Sequence, residues 1–168
     1  MRKGPRAYSS SLEKRSDDLE LTGDELQFLS YFSRIAGVEA VDFEKTEYGL
    51  VFLVQKHDLG RAIGKQGSTI EKLRRAFKQN VFVFADSDQL EEFVRNLFNN
   101  ITIMNIEIRE AMGEKAVFMM VDEKDRGLAI GKEGMRIKIA KKLLKRKFNS
   151  TISVKTRRNA IDIPPGMN

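Results

Sequence analysis

The chain has 168 residues, the length of one ordinary domain or two very small ones. Its 30 Lys and Arg against 24 Asp and Glu give a net charge of +6, and 41% of its residues are apolar, which fits a globular chain with a mild pull toward polyanions. Cysteine is absent and His57 is the single histidine, which excludes a disulfide framework, thiolate or multi-histidine metal sites and a cysteine nucleophile; the longest apolar run, Ala116 to Val121, is far too short to span a bilayer. A soluble cytoplasmic protein is expected.

Residues 1–21 mix Ser, Arg, Lys and Asp without periodicity or the apolar core of a secretory signal, and a disordered arm is expected there. Asp24 can then cap a helix whose apolar face is Leu26, Leu29, Phe32, Ile35 and Ala36, stopped by Gly37. Val38 to Thr46 and Leu50 to Lys56 alternate as two strands around a Tyr48-Gly49 turn. A short helix follows, then a glycine loop, a long helix to about Lys78 with Ile70 toward the core, and a strand from Val81 to Phe84. The order then repeats. Asp88 caps a helix bearing Leu90, Phe93, Val94 and Leu97, and Ile101 to Arg109 and Lys115 to Val121 are strands around a Met112-Gly113 turn. A second glycine loop precedes a long helix with the apolar face Ile137, Ala140, Leu144 and Phe148, and Thr151 to Val154 forms the last strand. The Pro164-Pro165 pair leaves residues 159–168 as a short extended tail.

The repeat is explicit in the residues. Asp58-Leu-Gly-Arg-Ala-Ile-Gly-Lys-Gln-Gly-Ser-Thr-Ile70 aligns with Asp125-Arg-Gly-Leu-Ala-Ile-Gly-Lys-Glu-Gly-Met-Arg-Ile137 with eight of 13 positions identical. The final strand needs a larger offset, so the second long helix is expected to be about one turn longer than the first. Both copies read α-β-β-α-α-β. Three residues separate Phe84 from Asp88, so the units are expected to pack rigidly together. The charge is uneven: Lys124 to Arg158 holds 13 basic and two acidic residues, whereas Asp86 to Glu123 holds nine acidic and three basic.

Glycines without Cβ let a phosphodiester backbone approach the peptide chain, and a helix starting at Gly67 or Gly134 directs its N–H groups and positive dipole end toward a phosphate. Lys65 and Lys132 add charge at the same place. Beside the loops, Ala62, Ile63 and Ile70, and Ala129, Ile130 and Ile137, can form a narrow apolar floor for single-stranded bases, with Ile70 and Ile137 expected in the core. The candidate residues for contact with a single-stranded nucleic acid are Arg61, Ile63, Gly64, Lys65, Gln66 and Gly67 in the first copy. In the second they are Ile130, Gly131, Lys132, Glu133 and Gly134, with Arg136, Lys141, Lys142 and Lys145 on the long helix.

These loops resemble those of the KH domain, an RNA-binding module whose Gly-x-x-Gly loop clamps about four nucleotides. The helix-strand-strand order ahead of each loop points to the type II arrangement, so the fold expected is α+β, with two tandem type II KH domains at 22–86 and 87–158. The tandem layout, with Leu128-Ala-Ile-Gly-Lys-Glu-Gly134 in the second unit, resembles the archaeal NusA family of transcription factors over residues 22–158. The resemblance implies a monomeric, non-enzymatic factor without cofactor or metal. It would bind single-stranded RNA along one extended surface, and RNA polymerase is a further partner that the resemblance suggests. A KH factor in ribosome assembly or RNA processing is the alternative, and a KH fold used for protein contact is a third reading, which loss of the loop Gly or Lys would favour. A nucleotide-binding phosphate loop is disfavoured, because only three residues separate Gly60 from Gly64 where four are needed, and Gln66 or Glu133 follows the lysine where a hydroxyl is needed. A metal nuclease would draw on Asp42, Glu44 and Glu47, but Asp42 and Glu44 share one strand face that solvation alone explains. His57 is read as a surface or partly buried residue. With no tryptophan, and with Phe77 and Phe148 at the ends of apolar helix faces, recognition through a stacking aromatic sheet is not expected.

Overall fold

The computed structural model describes residues 23–157; the expected arm at 1–21 and tail at 159–168 lie outside the described residues. The chain divides into two compact units between Gln89 and Leu90.

The first unit opens with helix α1 (Gly23–Ala36), which buries Leu29, Phe32 and Ala36. Phe28 and Ile35 pack partly buried against the same core. Leu26, expected on that face, is 52% exposed, because it lies well round the helix from the stripe centred on Phe32. Strands β1 (Ala40–Thr46) and β2 (Gly49–Val54) pair antiparallel, with Thr46 opposite Gly49, so the turn residues are Glu47 and Tyr48, one earlier than expected. The Thr46 hydroxyl donates to the Gly49 carbonyl and accepts the Tyr48 N–H, which fixes that turn. Strand β2 does not alternate: all six residues are buried. It is the central strand, flanked by β1 and by β3 (Val81–Ala85), which runs parallel to it. The crossover between these parallel strands holds helix α2 (Leu59–Ile63), the glycine loop and helix α3 (Ser68–Phe77). Phe32 stacks on Phe52 at 4.2 Å between ring centroids, and Phe28 lies 5.5 Å from Phe43. Each of the fully buried rings, Phe32, Phe43 and Phe52, stabilises the unit by about 1.5–3 kcal/mol.

The second unit repeats the order with helix α4 (Leu90–Leu97), strands β4 (Ile103–Ala111) and β5 (Glu114–Val121), helices α5 (Arg126–Ile130) and α6 (Met135–Phe148), and strand β6 (Ser150–Thr156). Its sheet order is β4-β5-β6, with β4 antiparallel and β6 parallel to β5. Helix α6 has 14 residues and α3 has 10, the extra turn expected from the alignment. The buried face of α6 is Ile139, Ala140, Leu143 and Leu144; Ile137 and Phe148, expected in the core, are half-buried flanks. The Met112-Gly113 turn lies where expected, and positive φ at both residues (55° and 82°) makes it type I′, the turn whose twist matches a two-residue hairpin.

Two devices recur that the alignment did not reveal. The register of β1 slips between Ala40 and Asp42 and that of β4 between Ile103 and Asn105, so each first strand carries a bulge at the corresponding place. Asn80 and Asn149 each tie the helix end to the hairpin. Asn80 Nδ2 donates to the Tyr48 carbonyl and its own carbonyl accepts the Leu50 N–H; Asn149 makes the matching bonds to the Gly113 carbonyl and from the Lys115 N–H.

Candidate nucleic-acid interface

Helix α2 ends at Gly64 because the chain there adopts φ 83°, ψ 166°, and the Gly64 N–H closes the last turn onto the Gly60 carbonyl. The next residues form a single tight turn. Gln66 sits at φ 55°, ψ 29° and Gly67 at φ 76°, ψ 16°, and the Gly67 N–H donates to the Gly64 carbonyl at 3.1 Å. The second loop has Gly131 at 82° and 168°, Glu133 at 56° and 26°, and Gly134 at 75° and 12°; no angle differs from the first loop by more than 4°.

The two glycines of each loop are needed for different reasons. A Cβ on Gly64 would meet the backbone N of Thr69 at 2.6 Å, and one on Gly131 would meet the backbone N of Arg136 at 2.8 Å. The first glycine therefore lets two backbones touch. A Cβ on Gly67 meets nothing closer than the Ile70 Cγ2 at 3.6 Å, so its requirement is the left-handed dihedral alone. The turn leaves Lys65, Gln66, Lys132 and Glu133 exposed. No side chain caps the start of α3 or α6, so the N-terminal ends of both helices open at the loops. Among the described residues none forms an ion pair with Lys65, Lys132, Lys141 or Lys145.

The apolar floor is narrower than the sequence suggested. Ala62 and Ala129 are wholly buried and belong to the core. Ile63 and Ile130 are half-buried beside the loops, and Ile70 packs on the core as expected. Arg61 is exposed, with its Nη1 3.5 Å from the Gly37 carbonyl at the end of α1. Leu128 occupies the corresponding place in the second unit and is exposed, an apolar side chain next to the loop. Only the Arg61–Leu128 mismatch in the repeat signalled it. Helices α2 and α5 pack against β3 and β6, the edge strands of their sheets, so a sheet edge lies on the side of each loop helix.

Of the candidate basic residues on α6, Lys141, Lys142 and Lys145 are exposed, on the side away from Ile139, Ala140, Leu143 and Leu144. Arg136 is placed otherwise. Its Nε and Nη2 donate to the Leu97 carbonyl at 3.2 and 2.9 Å, and its guanidinium lies 5.5 Å from the centre of the Phe98 ring. Burial lowers its pKa from the usual arginine value. Arg136 thus caps the C-terminus of α4 and is a structural residue. In the first unit Arg74 is likewise engaged, by Glu71 at 2.9 Å.

The carboxylates considered for a nuclease do not converge. Asp42 and Glu44 do share the sheet face of Leu53 and Val51, as expected, but that face is not solvated: Asp42 is 8% exposed and its Oδ1 accepts the Phe43 N–H at 2.7 Å. Among the described residues no group of three or more His, Asp or Glu could hold a metal ion. His57 is exposed, 3.6 Å from Asp58 Oδ1. Among the described residues no helix is long and apolar enough to cross a membrane.

Two units in tandem, each with helices on a three-stranded mixed sheet and a Gly-Lys-x-Gly turn between two helices, define a pair of type II KH domains. Family models agree: the KH domain matches residues 27–88, and the NusA-like second KH domain matches residues 90–159. The chain is similar to "Probable transcription termination protein NusA" of Halococcus morrhuae, at 30% identity over 77% of this chain and 92% of that protein. The protein of the same name from Methanocaldococcus jannaschii is 28% identical over 76% of this chain and 70% of its own length. The crystal structure of APE1850 superposes with a TM-score of 0.70 at 40% identity, covering 82% of this chain and all of that one. The chain belongs to the archaeal NusA family.

Proposed function

We propose that the protein binds single-stranded RNA through both Gly-Lys-x-Gly loops and acts on transcription elongation or termination, in contact with RNA polymerase. The observation that carries the RNA reading is the congruence of the two loops. Both copies of the repeat keep Gly-Lys-x-Gly and hold the same three left-handed or glycine-only conformations, and both present an exposed lysine at an uncapped helix start. A turn serving only to join two helices has no need of that lysine. In each unit a phosphate would sit over the loop, held by Lys65 or Lys132 and the helix N-terminus, while a base lies against Ile63 or Ile130. Lys141, Lys142 and Lys145 extend the phosphate track without reading sequence. The transcription role rests on family membership and on the names of the relatives.

Crosslinking the protein to RNA in the cell and sequencing what is recovered tests the role. Enrichment of nascent transcripts supports it. Recovery of pre-ribosomal RNA without nascent transcripts would replace it with ribosome assembly or RNA processing, leaving RNA binding intact.

A further inference from the structure

The two copies differ sharply at their first strand. In the first unit β1 is covered: Phe43 is 1% exposed beneath Phe28 of the 14-residue α1. In the second unit α4 has eight residues, and β4, the edge strand of its sheet, has no buried residue among its nine. Ile106 and Ile108 project to the helix side with Met119 and Val117, and Ile108 is 40% exposed. Edge strands are normally blunted by charged side chains, above all lysine, by proline, by brevity or by a bulge; the charges on β4 are Glu107, Arg109 and Glu110. The one bulge of β4 lies at its start, and Asn105 to Ala111 continue regular, with no lysine or proline.

We propose that β4 pairs antiparallel with β4 of a second copy of this chain about a two-fold axis through Ile108, joining two three-stranded sheets into one of six strands. The backbone fixes which residues are available. Ala111 and Glu114 close a two-residue turn, so they form a hydrogen-bonded pair, and residues 105, 107, 109 and 111 direct their backbone groups to β5. Residues 106, 108 and 110 direct theirs to the open edge. Only registers that pair these even-numbered residues with one another can form a ladder. Centring on Ile108 sets Ile108 against its own copy and each Ile106 against Glu110. It also sets each Glu107 against the partner's Arg109, twice, in the closer non-hydrogen-bonded positions. Centring one residue earlier would oppose Glu107 to itself, and one residue later Arg109 to itself. Charge therefore favours the register centred on Ile108 over its two neighbours. Glu107 and Arg109 already contact each other along the strand at 3.2 Å and are 51% and 67% exposed, so both are available to a partner.

Sedimentation equilibrium of the nucleic-acid-free full chain, from micromolar to submillimolar concentration, tests this. The wild type should move from 19.2 kDa toward about 38 kDa as concentration rises. Glu107→Arg and Arg109→Glu, each placing like charges opposite one another, should each weaken self-association at least ~10-fold. An equimolar mixture of the two variants should associate again, because every facing pair in the heterodimer is then opposite in sign. The double variant should also self-associate, which separates lost pairing from lost folding. A wild type that stays monomeric throughout the range would overturn the proposal. So would self-association that neither reversal weakens, or a mixture of the two variants that stays monomeric.

Discussion

Replacing Gly64 by alanine separates the two demands that the loop makes on its glycines. The residue sits at φ 83°, ψ 166°, a region almost closed to side chains, and forcing it there costs about 1–3 kcal/mol. The new Cβ would also lie 2.6 Å from the Thr69 backbone N, where no flexible side chain can yield. Overpacking of that kind adds about 1–3 kcal/mol. A unit of this size has a total stability of only about 3–10 kcal/mol. Gly67→Ala meets only the dihedral term, about 1–2 kcal/mol for one left-handed residue, because its nearest neighbour stands at 3.6 Å. Urea and thermal unfolding followed by far-ultraviolet circular dichroism should therefore rank Gly64→Ala well below Gly67→Ala. The melting temperature should fall by at least ~8 °C in the first case and by roughly 4–16 °C in the second, at about 4–8 °C per kcal/mol, with Gly64→Ala the lower of the pair. The second unit supplies a replicate: Gly131→Ala should exceed Gly134→Ala in the same way. A Gly64→Ala variant as stable as Gly67→Ala, or opposite rankings in the two units, would refute the reasoning.

Arg136→Met should destabilise the second unit by about 1–3 kcal/mol in urea unfolding, since it strips the Leu97 carbonyl of two charge-assisted hydrogen bonds. Arg136→Lys should recover less than half of that, and neither change should alter the salt dependence of RNA binding. Replacing Lys141, Lys142 and Lys145 by alanine should weaken binding to all RNA sequences alike. In titrations at several salt concentrations it should flatten the slope of log K against log salt by up to about 2, at roughly 0.7 per lost phosphate contact. An unchanged slope would mean that this helix does not meet the RNA. Met112→Asn should raise stability by about 0.5–1 kcal/mol in thermal unfolding, because Met112 is fully exposed and holds a left-handed conformation that asparagine tolerates far better.

What the sequence made legible was what repeats in it. The glycine loops, the element order, the longer α6 and the Met112-Gly113 turn all follow from aligning two copies whose punctuation residues coincide. Helix faces were less legible. Leu26 and Phe28 both satisfy a helical stripe within a turn, and only the position of Phe43 on the sheet selects Phe28. On α6, Ile137 and Ile139 are equally apolar, and the choice depends on how the helix rolls onto the sheet. Burial of every residue of β2 and of Asp42 was hidden, because alternation predicts a strand with one exposed face and both faces of β2 are covered. Arg136 was placed among the RNA-contacting residues by its charge and its closeness to the loop. Nothing in the linear sequence tells that a guanidinium 39 residues away will find the Leu97 carbonyl. Lys65, Gln66, Lys132 and Glu133, by contrast, could be read as exposed, since a residue between two such glycines has no core to enter.

The most direct test is RNA affinity in a protein whose loops are reversed in charge: Lys65 and Gln66 both to Asp, and Lys132 and Glu133 both to Asp, singly by loop and together. Gln66 and Glu133 already sit at φ 55° and 56°, where aspartate is among the better-tolerated residues. The four positions are exposed, so folding should change by about 0.5 kcal/mol or less per site. Fluorescence anisotropy with a labelled single-stranded RNA should show each single-loop variant weakened and the double-loop variant without measurable binding, at an unchanged circular dichroism spectrum. Wild-type affinity in the folded double-loop variant would contradict RNA recognition by these loops.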